Sequence, residues 1–230
     1  MIISHKHKFI YIKTIKTAST SVEAALSTVC GPDDVITVAA DRLMAFRTGD
    51  AKAQNYKLDH PAVPKPKLLR RLLGRPVRYY HPEIGYYEHM PAWRVKTYIG
   101  DEIWNSYFKF SFERNPWDRQ VSFYAYKTRN KKPPPSFDEF NHLGPRAQVR
   151  NWELYTIDGQ TALDFVGRYE NLEADFREVA RRIGLSDTLK LPRANTSERP
   201  ATYREFYTER TRDMVGDWYR REIDMFGYSF

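Results

Sequence analysis

The chain has a single cysteine among its 230 residues, Cys30. An intrachain disulfide is therefore excluded, and a cysteine-based metal site lacks its ligands. Long apolar runs are missing too. None approaches the ~20 residues that cross a bilayer, and the opening MIISHKHKF carries no apolar signal segment. The expectation is a cytoplasmic protein with no transmembrane segment. Glycine is absent from Met1 to Cys30, which excludes a G-x-x-x-x-G-K-[ST] phosphate loop there. No hydrophobic strand ends in an aspartate suited to magnesium, and no histidines cluster at ligand spacing, so no metal is expected. Acid is in deficit: 29 Asp and Glu against 37 Lys and Arg leave a net charge of +8 and a pI near 9.4. That surplus favours a polyanionic partner, whether nucleic acid, acidic lipid, acidic glycan or a highly charged nucleotide, and serves plain solubility equally well.

What is present is a globular composition, 41% hydrophobic and 15% aromatic. Its length suits one core, so residues 1–230 read as a single domain. The most informative stretch is residues 8–29, KFIYIKTIKTASTSVEAALSTV. Phe9 to Ile12 has the apolar, β-branched and aromatic character of a buried strand. From Ser21 to Val29, Val22, Ala25, Leu26 and Val29 fall on one helical face. Between them lie Lys16 and the small residues Thr17, Ala18, Ser19, Thr20 and Ser21. A strand, a hydroxyl-rich turn with a lysine, and a helix make a good anion site: free backbone N–H groups, the positive end of the helix dipole, and hydroxyl donors converge there. One hydroxyl would suffice for an ordinary helix cap; four in five positions exceed that need.

Further along, Gly31 to Asp34 reads as a turn and Asp34 to Ala39 as a second strand. Residues 65–78 hold Lys65, Lys67, Arg70, Arg71, Arg75 and Arg78 with no acid, interleaved with leucines. They make either a basic amphipathic helix for an anionic surface or a solvated insertion. Pro91 opens a predicted helix with Ala92, Val95, Tyr98 and Ile99 inward, which places His89 in the loop before it. Tyr107 to Phe112 reads as a strand running into Arg114, and a helix from Pro116 or Trp117 carries Ser122 on its second turn. A guanidinium and a hydroxyl at such a junction can share a phosphate, although a surface Arg–Glu pair and a plain helical serine fit as well. Leu163 to Tyr169 reads as a strand, Glu170 to Ile183 as an amphipathic helix stopped by Gly184, and Thr208 to Asp224 as the last helix. The alternation predicts a three-layer α/β/α fold with a mostly parallel central sheet, and ligands beyond the carboxyl ends of its strands.

These residues together resemble the sulfotransferases that use 3′-phosphoadenosine 5′-phosphosulfate (PAPS), in particular their carbohydrate-type branch, with a P-loop NTPase-like fold. Lys16 to Ser21, KTASTS, is similar to that family's loop for the 5′-phosphosulfate. Arg114 to Arg119, RNPWDR, with Ser122 and Tyr124, is similar to its R-N-P-x-x-R-x-x-S-x-Y element for the 3′-phosphate. FVGRYENLEADF (165–176) and the closing DMFGYSF are also similar, so the resemblance spans most of the chain outside about 40–85. One departure concerns the loop. Many relatives have proline before the lysine and two glycines after the threonine, where this chain has Ile15, Ala18 and Ser19.

The resemblance implies in-line transfer of a sulfuryl group to a hydroxyl, without a metal, releasing adenosine 3′,5′-bisphosphate. Lys16 with the loop N–H groups would stabilise the leaving phosphate. Arg114 and Ser122 would hold the 3′-phosphate. His89 is the expected general base, with His81 in reserve and Glu23 a distant third. Arg199, with Arg193 and Asn195, is a weaker cofactor candidate. The expected partner is a hydroxyl-bearing glycan or glycolipid, not nucleic acid, with peripheral membrane contact left open. Residues 40–85 and 129–150 would be the variable acceptor side. Two rivals stand beside this reading: an ATP- and magnesium-dependent kinase of the P-loop type, and a non-enzymatic polyanion-binding module built on residues 65–78.

Overall fold

The computed structural model describes residues 1–38, 52–65, 82–186, 189–192 and 202–230. Its centre is a five-stranded mixed sheet. In chain order the strands are β1 (Ile2–Ser4), β2 (Phe9–Tyr11), β3 (Val35–Ile36), β4 (Phe108–Glu113) and, after a small hairpin of β5 (Thr156–Ile157) and β6 (Gln160–Thr161), β7 (Phe165–Arg168). The spatial order is β3-β1-β2-β4-β7. The core pairs β2–β4 and β4–β7 are parallel, with Tyr11 opposite Phe110 and Phe112 opposite Gly167. β1 runs antiparallel to both its neighbours.

Side chains alternate across a strand, and β2 shows what that does for the layers. Phe9 and Tyr11 join Phe110 and Phe112 on one face. They pack there against Val22, Ala25 and Leu26 of α1 (Ser19–Ser27). Phe176, Val179 and Ala180 of a later helix, Leu172–Arg182, complete that layer. Ile10 and Ile12 point the other way, with Ile3, onto Ala92 and Val95 of α2 (Ala92–Ile99) and Trp104 of α3 (Asp101–Ser106). Four consecutive apolar residues are thus shared between two helical layers, as expected of a strand covered on both faces.

The remaining described helices are α4 (Pro116–Thr128), α5 (Phe137–Asn141), α6 (Trp152–Tyr155), α7 (the Leu172–Arg182 helix), α8 (Glu209–Trp218) and α9 (Arg220–Phe226). Among the described residues no helix is long and apolar enough to cross a membrane.

Several elements differ from the sequence reading. β1 went unassigned, because three residues followed by His5, Lys6, His7 and Lys8 give little pattern. It is pinned by Asp34, whose carboxylate accepts from Ser4 Oγ at 2.8 Å and from the backbone N–H groups of Lys6 and Gly31 at 3.0 and 2.8 Å. The second strand is only Val35–Ile36, and residue 39 lies outside the described residues. The last helix is two helices. Tyr219 breaks it because its buried ring turns into the core, where the hydroxyl donates to Gln120 Oε1 at 2.9 Å and accepts from the Val149 N–H at 2.7 Å. The basic segment lies outside the described residues from 66 onward.

Candidate active site

β2 and β4 end side by side, and the two anion motifs follow directly from them. After β2 the chain turns through Lys16 and Ala18, both in the left-handed region with φ of 64° and 56°. Residues with a Cβ reach that region at a cost of roughly 1–2 kcal/mol each. Here the turn brings the backbone round so that Ala18 opens α1, whose N-terminus has no side-chain cap. Ala18 stands where the resemblance led one to expect glycine, and it keeps the left-handed geometry. Glycine there is therefore expected to stabilise the fold, by about 0.5 kcal/mol once the extra freedom of the unfolded chain is subtracted. Thermal melting of Ala18→Gly checks this; a lower melting temperature would contradict it.

The hydroxyls of the loop do not all face the same way. Thr17 is fully buried, its Oγ1 2.8 Å from that of Thr14. Thr14 in turn donates to the Phe112 carbonyl on β4 at 2.5 Å. Through Thr14, Thr17 thus clamps the loop to the sheet. Ser19 and Ser21 are also buried, whereas Ala18 and Thr20 are half-exposed.

Arg114 leaves β4 beside this loop. Its Nη1 donates to the Lys16 carbonyl at 3.3 Å, which joins the two motifs physically. Its Nε donates to Asp118 Oδ2 at 2.7 Å, and its guanidinium lies 3.9 Å above the Tyr169 ring. A carboxylate and an aromatic face fix this guanidinium. On α4, Asp118, Ser122 and Tyr126 recur every four residues and form one stripe. Asp118 meets Arg114, and Tyr126 lies under the Lys16 ammonium, 4.9 Å from Nζ. Ser122, half-buried, sits between them on the stripe. Asn115 caps α4 by accepting from the Trp117 N–H at 3.1 Å.

The second arginine of the motif, Arg119, has a different setting. It is fully buried, donating to Glu113 Oε1 at 2.5 Å and Glu222 Oε1 at 3.2 Å. This ties β4 and α4 to α9. Burial pushes the Glu222 carboxyl up to about 7 in spite of Arg119.

His89 lies in the loop before α2, also left-handed with φ of 57°. Its Nδ1 is 2.9 Å from the Lys13 carbonyl at the end of β2. A carbonyl only accepts, so Nδ1 carries the proton and Nε2 the lone pair. Burial, reinforced by the Lys13 ammonium, pulls its pKa down to about 4, so the ring is neutral at pH 7. Glu23, the third candidate base, is buried and accepts from Lys13 Nζ at 2.7 Å. His81 and Arg199, with Arg193 and Asn195, lie outside the described residues.

A sequence profile described as "Sulfotransferase family" matches residues 1–229. The chain belongs to the sulfotransferase family. It is accordingly a PAPS-dependent sulfotransferase. A protein of Archaeoglobus fulgidus, named only as uncharacterized, is similar as well: 38% identical over 112 residues, which is 47% of this chain and 92% of that protein. No solved structure matches.

For a sulfotransferase donor carrying phosphates at two ends, the donor set fits. The uncapped N-terminus of α1 with its left-handed entry offers backbone N–H groups, Lys16 supplies a cation, Arg114 stands at the end of β4, and Ser122 lies on the adjoining stripe of α4. Among the described residues no three His, Cys, Asp or Glu side chains gather as metal ligands. Sequence reasoning did not single out Asp118 and Tyr169, which hold the Arg114 guanidinium. The motif itself contains Asp118, four residues after Arg114, and that helical spacing was the available signal.

Proposed function

We propose that this sulfotransferase moves the sulfuryl group of PAPS to a hydroxyl of a carbohydrate or glycoconjugate, by metal-free in-line displacement with His89 as general base. The observation that carries the reading is the Nδ1 contact of His89 with the Lys13 carbonyl, which leaves Nε2 as a neutral proton acceptor. PAPS supplies an activated sulfuryl group, and negative charge grows on the phosphate oxygen it leaves. Lys16 and the N–H groups at the start of α1 stabilise that charge. Arg114, held by Asp118, and Ser122 bind the 3′-phosphate, so remote contacts orient the reacting end. His89 Nε2 takes the proton as the acceptor oxygen bonds to sulfur.

The carbohydrate acceptor rests on the resemblance of the two motifs to the carbohydrate branch. A transfer assay with labelled PAPS tests it, comparing unsulfated oligosaccharides with simple phenols, with and without EDTA. Labelled oligosaccharide, formed equally in EDTA, is the expected result. Labelled phenol alone, or activity lost in EDTA, would contradict it.

A further inference from the structure

We infer that Lys13 and Glu88 are positioning residues for His89, linking the base to the helix that follows the Lys16 loop. The inference rests on His89 being the general base. Lys13 is 1% exposed, and its ammonium donates to Glu23 Oε2 on α1 at 2.7 Å and to Glu88 Oε1 at 2.5 Å. A buried ammonium between two carboxylates is weak as a source of stability, because desolvation offsets much of the attraction. Its location is more informative. The main chain of Lys13 sets the imidazole tautomer, and its side chain fixes the carboxylate beside the same ring. Glu88 Oε1 lies 3.8 Å from His89 Nε2. That distance is too long for a hydrogen bond, yet short enough to stabilise the imidazolium formed when Nε2 accepts the acceptor's proton.

Two further features agree. His89 is held at a positive φ that costs a non-glycine residue energy, and the Nδ1 contact to Lys13 holds it there. Glu23, which receives the other side of the bridge, is on α1 a few residues past the loop that binds the donor. One ammonium thus ties the donor helix to the base loop. The titratable groups facing His89 are Lys13, Glu88 and the amino group of Met1, which burial pulls down to about 6. Lys13 and the amino group disfavour the imidazolium, and Glu88 favours it.

The test uses the full chain, PAPS and a pool of unsulfated oligosaccharides, and compares wild type with Glu88→Gln, Lys13→Met, His89→Ala and the Glu88→Gln/His89→Ala double variant. Glu88→Gln keeps shape and leaves Lys13 its bond to Glu23, so it is the variant that safeguards folding. It is expected to lower kcat about tenfold, a fraction of the 10²–10⁴ available to a general base. The donor KM and the melting-temperature rise with adenosine 3′,5′-bisphosphate should stay unchanged. The acid limb of kcat should move to lower pH in Glu88→Gln and to higher pH in Lys13→Met. In the His89→Ala background, Glu88→Gln should add no further loss, since it acts through the imidazole.

Wild-type kcat with an unmoved acid limb in Glu88→Gln would overturn the inference. So would an equal further loss in the double variant. If His89→Ala is as fast as wild type, the assignment of the base falls, and this inference with it. A preserved bisphosphate response in that case would show the donor site to be intact.

Discussion

Replacing Lys16 by alanine is expected to lower kcat by about 10²–10³-fold, the range seen when one donor to a developing oxyanion is removed. The loss should fall on kcat more than on the donor's affinity, because the charge that Lys16 serves is greatest in the transition state. The loop itself should persist. Its shape is maintained by the Thr14–Thr17 contact, by the Thr14 bond to the Phe112 carbonyl, and by the Arg114 bond to the Lys16 carbonyl, none of which needs the lysine side chain. Steady-state kinetics with a melting curve check both halves. Full activity in Lys16→Ala would remove this residue from the chemistry.

The largest effect on stability is expected at Arg119, the motif arginine that the fold buries. Arg119→Met leaves Glu113 and Glu222 facing each other with 0% and 4% side-chain exposure. Breaking a buried pair by removing one partner costs about 3–5 kcal/mol. For a chain of this size that corresponds to a melting-temperature loss of roughly 10 °C. The loss has a pH signature. Burial already raises Glu222 to about 7, above its unfolded value near 4.5. A carboxyl raised on folding holds a proton that the unfolded chain has released, so its stabilising contribution fades as pH rises from about 4.5 through 7. Without Arg119 the carboxylates depend more on that proton, and the deficit should be larger at pH 8 than at pH 5. Adding Glu113→Leu and Glu222→Met should recover much of it. An Arg119→Met protein that melts like wild type would contradict the account of this triad.

Local patterns made some of this readable. The FIYI run announced β2 because a doubly covered strand is apolar on both faces. The Leu172–Arg182 helix announced itself through a single apolar stripe, and the junction of β4 with α4, where Arg114 stands, through Pro116 after an aromatic run. What the sequence did not reveal depends on pairing over distance. Arg119 meets Glu222 across 103 residues, and Lys13 meets Glu88 across 75. No periodicity records such partners, so Lys13 reads as an ordinary lysine until the fold buries it. Thr17 shows a second kind of long-range dependence. Its residue type suits an anion, but its hydroxyl is used within the fold.

The most direct test of the central claim, that the Lys16 loop and Arg114 form one site for a nucleotide with phosphates at two ends, is thermal stability with adenosine 3′,5′-bisphosphate against ATP plus magnesium, in wild type and Arg114→Ala. At about a hundred times its dissociation constant a ligand adds ~2.7 kcal/mol to the folded state. The account predicts a rise of roughly 5–10 °C with the bisphosphate in wild type, none with ATP and magnesium, and loss of the rise in Arg114→Ala. A rise with ATP and magnesium alone, or a bisphosphate response that survives Arg114→Ala, would contradict it.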